Sequence, residues 1–323
     1  MKKIMIITTG GTIAMKSDSK TGALVPAVSG ADLAASAPGI TACGEIAVEE
    51  FSNIPSEFMT VEKMWDMARF IEDREGEADG FVITHGTDTM EETAFFLDHV
   101  LYTDKPVVMT GAMRGASDLS ADGPANILAA VRTAADSGAC GRGVLVVMNQ
   151  KIFTARDVEK TDAVGVDSFQ APEWGPAGIV DQDKVRWGRP ASRGRQIPVH
   201  GPFPEVWLVK CAAGISGKIL DAVPAAGAGG VVIEGFGCGN VPLSVYEAAG
   251  RLLKRGMPVV LVSRTQHGSI EKAYGYDGGA ASLEARGCIL GGSLSGQKAR
   301  ILLMAALAAG VSKEDMKALF EAP

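Results

Sequence analysis

The sequence predicts an α/β protein: a larger N-terminal domain with a mostly parallel sheet flanked by helices, plus a smaller C-terminal α/β domain. Short runs rich in valine and isoleucine recur along the chain, and helix-like segments lie between several of them. Continuous apolar runs are typical of parallel strands that are buried on both faces. Glycine supplies 40 of the 323 residues, which suits many tight turns between strands and helices.

The predicted strands are the apolar runs that are continuous rather than alternating in hydropathy. In chain order they are Ile4–Thr8, Gly80–Thr84, Val107–Thr110, Gly143–Met148, Val206–Val209, Val231–Glu234 and Val259–Ser263.

Helix signals separate several of these strands in the N-terminal part of the chain. Thr89-x-x-Glu92 is predicted to form a capping box that opens a helix running through Val100. Pro124 suits the first helical position before a helix over 125–135, because proline needs no backbone N–H there.

The C-terminal part carries similar signals. Apolar residues recur at helical spacing over 243–254, and Gly256 with Pro258 is predicted to end this helix. Ser312 and Asp315 resemble a cap in front of the last helix.

A change in composition marks the boundary between the two predicted domains. Residues 188–204 read GRPASRGRQIPVHGPFP, and this richness in arginine, glycine, proline and serine is typical of a linker. We therefore predict a catalytic domain at 1–188, a linker at 189–204 and a second domain at 205–323. We interpret the arginines that cluster near this segment as solvated linker residues rather than a phosphate-binding patch. They are Arg186, Arg189, Arg193 and Arg195.

Composition argues against several classes of partner. The net charge of −7 disfavours a nucleic acid, and no stretch approaches the ~20 apolar residues of a membrane-spanning helix. The apolar run after Lys3 stops at Thr8, short of the ~7–15 residues at the core of a signal peptide. We therefore expect a buried first strand and no membrane partner.

Cysteine and histidine are few and scattered. The five cysteines show no CxxC spacing, which predicts reduced thiols and a cytoplasmic protein. Only His85 among the four histidines lies beside a motif, and we interpret it as a packed or turn-stabilising residue. The sequence therefore predicts neither a metal nor a cofactor.

Two threonine-rich turns are the strongest functional signal. Residues 7–14 read ITTGGTIA and residues 83–93 read ITHGTDTMEET, and each segment begins at the end of a predicted strand. Ligands bind at the carboxyl ends of strands in open α/β sheets. The two turns are therefore expected to form one site, with a threonine hydroxyl as the candidate nucleophile.

The chemistry of a threonine nucleophile requires further groups. The hydroxyl needs a base, and the developing oxyanion needs hydrogen-bond donors. Thr87 and Asp88 in the second turn supply a further hydroxyl and a charge, and a partly buried lysine can act as the base. Lys160 is our candidate, although composition alone does not single it out among the lysines.

Two further points stay open here: the ligand of the first turn and the nature of the segment that follows it. Gly10-Gly11 lacks both the following lysine of a P-loop and the spacing of a dinucleotide-binding turn, so nucleotide binding is only a second hypothesis. The soft segment at 15–30 is either a mobile lid or a plain surface loop.

Both turns resemble the two signature motifs of the bacterial-type L-asparaginase/glutaminase family, in the same order and at the family's spacing. Further matches extend along almost the whole chain. They are Gly111–Arg114, Ser120–Pro124, Arg156–Thr161, Gly239-Asn240, Ser263-Arg264 and Gln297–Arg300.

The resemblance implies an amidohydrolase that converts L-asparagine to L-aspartate and ammonia, with a side activity on L-glutamine as a further expectation. It implies that Thr12 attacks the amide carbon to form a covalent acyl-enzyme. Thr87, Asp88 and Lys160 would form a relay in which Lys160 removes a proton through Thr87. Either threonine is a plausible nucleophile from sequence alone, and Thr12 is the one we favour.

The resemblance also implies a set of substrate-binding residues. Asp88 would pair with the substrate's ammonium group, and Glu57 could face it too. Ser56 matches the family's serine that binds the substrate carboxylate. The remaining candidates are Gly11 and Gly86 in the turns, Ala112 beside the amide, and Asn240.

Asn240 matches a residue that reaches a neighbouring subunit's site in the family. This match implies a homo-oligomer of intimate dimers, often paired as a tetramer. Small-molecule substrates and further copies of the chain are the only partners that the sequence predicts.

One position departs from the family pattern. The family usually carries a tyrosine in the lid, and alignment on Val25-Pro26 places Leu24 there. Leucine forms no side-chain hydrogen bond, so we hypothesise that Tyr274 or Tyr276 reaches the site, perhaps across a subunit interface. The alternative is that both tyrosines pack locally.

Two other functions compete with the hydrolase. The amidase subunit of a tRNA-dependent amidotransferase would normally carry an extra N-terminal domain, whereas here the first motif begins at Thr8. A non-catalytic amino-acid binding or sensing protein of the same fold is the other alternative, and the lid departure favours it. The complete set of Thr12, Thr87, Asp88 and Lys160 argues against it, because a binder has no use for the relay.

Overall fold

The computed structural model describes residues 1–17, 24–26, 32 and 36–321. The chain forms two compact units, Met1–Gln196 and Ile197–Pro323. Within the described residues, no helix combines the length and apolarity that a bilayer crossing demands. The fold class is α/β with parallel strands in both units, as predicted.

The first unit is built around an eight-stranded sheet with short additional ribbons. Its strands are β1 (Lys3–Thr8), β2 (Met15–Ser17), β3 (Leu24–Pro26), β4 (Glu45–Glu50), β5 (Gly80–Thr84), β6 (Val107–Thr110), β7 (Val144–Met148), β8 (Lys151–Thr154), β9 (Glu159–Lys160), β10 (Phe169–Gln170), β11 (Gly178–Asp181) and β12 (Lys184–Trp187). Its helices are α1 (Val61–Asp73), α2 (Met90–Val100) and α3 (Gly123–Ala135).

The large sheet is parallel at one side and antiparallel at the other. Its order is β12-β11-β8-β7-β6-β5-β1-β4, and the five strands from β7 to β4 run parallel. β1, β5, β6 and β7 are buried almost throughout, which explains their continuous apolar sequences. β4 at the edge is only partly buried and carries several glutamates, which suits an unpaired edge.

The second unit contains a four-stranded parallel sheet in the order β13-β14-β15-β16. Its strands are β13 (Val206–Lys210), β14 (Gly230–Gly235), β15 (Val259–Ser263) and β16 (Ile289–Leu290). Its helices are α4 (Lys218–Asp221), α5 (Leu243–Lys254), α6 (Ala280–Ala285), α7 (Gly296–Ala308) and α8 (Lys313–Glu321). The core of this unit is formed by valine, leucine and alanine side chains from both layers.

Every strand predicted from the sequence is present, with end shifts of a residue or so. The helix over 243–254 has the predicted bounds. The cap before α8 is also confirmed, because Ser312 Oγ accepts the Asp315 N–H at 3.1 Å and donates to the Asp315 carboxylate at 2.8 Å. α3 begins at Gly123, one residue before Pro124.

The capping box predicted at Thr89 and Glu92 is wrong. Thr89 occupies the N-cap position of α2, but its side chain caps no backbone N–H of that helix. Its Oγ1 instead donates to the Ser56 carbonyl oxygen at 2.7 Å. A tertiary contact therefore replaces the local one, and it ties α2 to the 3-10 turn at Ser56–Phe58.

The structure confirms the solvated interpretation for two of the four arginines, Arg186 and Arg195, which are exposed, and contradicts it for the other two. Arg193 keeps only 16% of its side chain exposed, and it donates to the carbonyl oxygens of Leu101 and Thr103. Arg189 pairs with Asp157 at 3.0 Å. These contacts hold the segment that carries Arg189 and Arg193 in the first unit, because each guanidinium donates to carbonyl or carboxylate oxygens of that unit.

Candidate active site

The two threonine-rich turns are in direct contact in the first unit. β1 and β5 pair in parallel with Thr8 opposite Thr84, so both strands end at the same level. The Thr9 N–H and Thr9 Oγ1 both donate to the Thr84 carbonyl oxygen, at 3.1 and 2.9 Å. A Cβ added to Gly11 would lie 2.5 Å from the Cα of Gly86. The backbones of the two turns therefore pack with no room for a side chain between them.

Replacing Gly11 with alanine is expected to lower kcat/KM for the hydrolysis that the family resemblance implies by at least about 10²-fold, because the new Cβ must push the two turns apart. Gly11 has φ +84°, so part of any stability loss would come from backbone strain alone. Gly39→Ala is the matched control, since Gly39 has φ +82° with nothing within 4 Å of an added Cβ.

The Gly39→Ala control distinguishes the effect of backbone strain at a positive φ from the steric clash between the two turns. Gly39→Ala should cost about 1 kcal/mol of unfolding free energy and leave kcat/KM unchanged. If the two variants lose activity equally, the contact between the turns does not matter for turnover.

Ser56 lies against the second turn. Its side chain is buried, and its Oγ accepts the Asp88 N–H at 3.3 Å. A Cβ on Gly86 would lie 2.7 Å from Ser56 Oγ. The adjacent Glu57 is exposed. The structure thus brings Ser56, Gly86 and Asp88 together and leaves Glu57 at the surface beside them.

Lys160 reaches the second turn from β9. Its Nζ lies 2.9 Å from Thr87 Oγ1 and 2.5 Å from Asp88 Oδ1. The Lys160 side chain is 15% exposed and the Asp88 side chain is 65% exposed. Lys160 Nζ donates to both oxygens and so links the Thr87 hydroxyl to the Asp88 carboxylate, which is open enough to bind a further cation.

A third loop, after β6, abuts the same turn. A Cβ on Gly111 would lie 2.5 Å from the His85 carbonyl oxygen. Asn126 Nδ2 donates to the Gly111 carbonyl oxygen at 3.0 Å, and the Asp122 carboxylate accepts the Met113 N–H at 3.0 Å. Ala112 is buried between these anchors. Sequence reasoning assigned no role to Asn126, whose supporting contact depends on the tertiary placement of α3.

His85 stabilises the second turn from its buried side, as a packed and turn-stabilising residue. It is fully buried, its Nδ1 lies 2.7 Å from the Gly86 carbonyl oxygen, and its Nε2 lies 3.1 Å from Thr93 Oγ1. A carbonyl only accepts, so Nδ1 carries the proton and Nε2 accepts from the Thr93 hydroxyl. Burial lowers the pKa of His85 from 6.5 to about 4, against the opposing hydrogen bond to Gly86.

The depressed pKa of His85 predicts acid sensitivity. Between pH 6.5 and pH 4 the His85 side chain is protonated in the unfolded chain and neutral in the folded chain. The contribution of neutral His85 to the unfolding free energy is therefore complete above pH 6.5 and decreases as the pH is lowered. The contribution lost between pH 7 and pH 4 is about 3 kcal/mol. We expect the unfolding free energy of the wild type to fall by that much more than that of His85→Gln, measured with urea.

His200→Gln provides the control, because His200 is exposed in the second unit. It should keep the wild-type pH dependence. Equal pH dependence in the wild type and His85→Gln would contradict a buried neutral imidazole.

Thr12 begins a 3-10 turn, Thr12–Ala14, directly after Gly11 and is half-buried. Gly123 brings α3 to this turn, since a Cβ there would lie 3.0 Å from Ile13 Cγ1 and 3.6 Å from Ala112 Cβ. The first turn therefore adjoins both the second turn and the Ala112 loop. Residues 18–23 and 27–31, most of the predicted lid or loop, lie outside the described residues.

The second unit carries Asn240, Tyr274 and Tyr276, whereas Leu24 belongs to the first unit. Asn240 pairs with Phe236 through its backbone at 2.7 and 2.9 Å, and its side-chain Oδ1 is buried without a partner among the described residues. Tyr274 and Tyr276 are 47% and 54% exposed, with ring centroids 5.7 Å apart. They pack on each other while about half of each ring stays open. Leu24 lies in β3, opposite Ser17 in β2.

Metal chemistry gains no support from the described part of the chain. Histidine, cysteine, aspartate and glutamate side chains form no group there that could hold an ion. The groups that converge on the two turns include hydroxyls, backbone N–H groups, the Lys160 amine and the Asp88 carboxylate. Such a set suits acyl transfer with a hydroxyl nucleophile.

Comparison with known proteins agrees with this chemistry. Residues 3–193 match the model of the asparaginase N-terminal domain, and residues 205–320 match that of the glutaminase/asparaginase C-terminal domain. L-asparaginase 2 of Escherichia coli is 37% identical over 99% of this chain and 93% of its own length. A probable periplasmic L-asparaginase of Haemophilus influenzae is 37% identical over 95% of this chain and 89% of its own.

A solved structure also matches this chain over its whole length. The crystal structure of a probable cytoplasmic L-asparaginase from Campylobacter jejuni matches all of both chains with a TM-score of 0.90 and 33% sequence identity. Both domain models and relatives matched over nearly their full length therefore show that this chain belongs to the asparaginase/glutaminase family.

Proposed function

We propose that this chain hydrolyses the side-chain amide of L-asparagine to L-aspartate and ammonia, with a side activity on L-glutamine. The observation that carries the proposal is the position of Lys160 Nζ, 2.9 Å from Thr87 Oγ1 and 2.5 Å from Asp88 Oδ1, beside the turn that holds Thr12. The names of the family and its relatives support the amide substrate.

The first half of the reaction forms an acyl-enzyme. Thr12 Oγ attacks the amide carbon while Lys160 takes up a proton through the Thr87 hydroxyl. Backbone N–H groups near Gly11 and at Thr87–Asp88 hold the oxyanion that develops on the amide oxygen. Lys160 then passes that proton back through the same hydroxyl to the amide nitrogen, the C–N bond breaks, and ammonia leaves.

The second half returns the enzyme to its starting state. Water attacks the ester carbon, and its proton passes through the same relay to Lys160. The ester bond to Thr12 then breaks to release the acid, and the relay returns the proton to the Thr12 oxygen, which restores the hydroxyl and the base. Because acylation and deacylation run through one base, loss of Lys160 slows both halves.

The substrate is a zwitterion, and the site offers partners for both charges. We assign the ammonium group to Asp88 and the exposed Glu57, and the carboxylate to Ser56. Gly11, Gly86 and Ala112 line the position of the amide. Asn240 of a second copy would complete the site in a homo-oligomer of intimate dimers, paired as a tetramer.

Ammonia release tests the proposed function. Purified protein is incubated with L-asparagine, L-glutamine and small β-aspartyl compounds, and ammonia is quantified over time. We expect fastest turnover of L-asparagine and slower turnover of L-glutamine. Absence of ammonia from every amide, with L-asparagine binding retained in calorimetry, would instead identify an amino-acid binding protein.

Two properties of the assembled protein are proposed on the same basis. A cytoplasmic location is supported by the five free thiols and by the Campylobacter jejuni neighbour. Cell fractionation tests it, and recovery in the periplasm would overturn it.

Light scattering coupled to size exclusion tests the oligomer, and a monomeric active enzyme would overturn the role given to Asn240.

The tyrosine hypothesis predicts an effect of hydroxyl removal. If Tyr274 or Tyr276 supplies the hydroxyl that Leu24 lacks, one of Tyr274→Phe and Tyr276→Phe lowers kcat by about 10-fold or more while the other does not. Each change keeps the ring that packs on its neighbour. Wild-type kcat in both variants would leave the pair with local packing alone.

A further inference from the structure

The backbone of Lys160 has a donor that its own ribbon cannot satisfy. β9 pairs with β10 in antiparallel fashion, with Lys160 opposite Phe169. The Thr161 N–H donates to the Ser168 carbonyl oxygen at 2.7 Å. This pattern makes Lys160 and Phe169 a non-hydrogen-bonded pair, so the Lys160 N–H points away from β10. Such a donor needs a partner elsewhere.

Glu91 supplies that partner. Its Oε2 accepts the Lys160 N–H at 2.6 Å, across 69 positions of the chain. Glu91 lies in the first turn of α2 and is only 6% exposed. A buried carboxylate that accepts a backbone N–H forms a short, charge-assisted bond with a defined geometry.

The contact joins the two parts of the relay. α2 begins immediately after the turn that carries Thr87 and Asp88, and Glu91 is three residues beyond Asp88. β9 consists of only Glu159–Lys160, and its one strand partner is equally short. The ribbon alone therefore gives the lysine little restraint, whereas Glu91 anchors its main chain to the same rigid helix that holds the turn.

We propose that Glu91 is a positioning residue that sets the reach of Lys160 to Thr87. Its role depends on the length of the side chain and on an acceptor oxygen, and it does not require contact with the substrate. A displacement of about 1 Å between reacting groups can cost on the order of 10²-fold in rate, so the anchor should be visible in kcat. As far as turnover is concerned, the inference rests on the proposed function.

The experiment compares three variants in ammonia release from L-asparagine. Glu91→Asp keeps the charge and the helix-start preference but shortens the reach, and it should lower kcat by about 30–100-fold with KM within about threefold. Glu91→Gln keeps the length and an acceptor oxygen and should retain at least about a third of wild-type kcat. Glu62→Asp is the matched control, because Glu62 lies in the first turn of α1 and is exposed; it should match the wild type.

Crystal structures of the wild type and Glu91→Asp supply a readout independent of turnover. We expect the distance from Lys160 Nζ to Thr87 Oγ1 to increase in Glu91→Asp and to remain near 2.9 Å in Glu91→Gln. Wild-type kcat in Glu91→Asp, or equal losses in Glu91→Asp and Glu91→Gln, would overturn the proposal. A wild type that releases no ammonia would refute the proposed function, and an unchanged distance in Glu91→Asp would then overturn the positioning role separately.

Discussion

Thr12→Ala is expected to reduce kcat for L-asparagine by about 10³-fold or more, because the hydroxyl that we propose as the nucleophile of the acyl-enzyme is gone. The oxyanion donors and the groups assigned to the substrate's charges stay in place, so KM should change by less than about tenfold. Ammonia release under saturating L-asparagine measures both constants.

Thr12→Ser provides the matched control for this substitution. It keeps a hydroxyl at the same position, now primary instead of secondary, and should retain measurable turnover, while its thermal midpoint and that of Thr12→Ala should equal the wild-type value. An alanine variant that keeps more than about a tenth of wild-type kcat would remove Thr12 from the covalent step.

Lys160→Met is expected to reduce kcat by about 10²- to 10⁴-fold, the usual contribution of a positioned general base. Methionine preserves most of the stem of the side chain and removes the amine that lies 2.9 Å from Thr87 Oγ1. Thr87→Ala should lose a similar factor, since in the proposed relay the proton passes through that hydroxyl. The double variant should be no slower than the worse single variant, because both act in one relay.

Lys151→Met is the control for the loss of a lysine charge. Lys151 pairs with Asp167 at 2.7 Å on β8 and takes no part in the relay, so its removal should leave kcat unchanged. Multiplication of the Lys160→Met and Thr87→Ala effects in the double variant would show that the two groups work independently.

The buried parallel strands were predictable because their continuous apolar composition reflects burial on both faces of the sheet. Phe81, Val82 and Ile83 in β5 are buried on both faces, and such runs read as continuous apolar sequence. β9 and β10 carried no such signal. Each has two residues, and their pairing depends on the chain returning from Lys160 to Phe169.

The site shows the same division between local and tertiary information. The motifs gave Thr12, Thr87 and Asp88 as candidates, because a hydroxyl or carboxylate after a strand is visible in the sequence itself, and the family resemblance assigned their roles. Glu91 was visible in its motif, but its contact with Lys160 arises only from the register of a ribbon far along the chain. The predicted bond within α2 failed at Thr89 for the same reason, since the Ser56 carbonyl competes for its hydroxyl.

The most direct test of the mechanism is to locate the acyl group. The wild-type enzyme is mixed with L-asparagine, quenched with acid within milliseconds, and digested for peptide mass spectrometry, with Thr12→Ala and Thr87→Ala treated in parallel. We expect an aspartyl ester on the peptide that contains Thr12, and none in Thr12→Ala. An ester found on Thr87 instead would contradict the division of roles between the two turns.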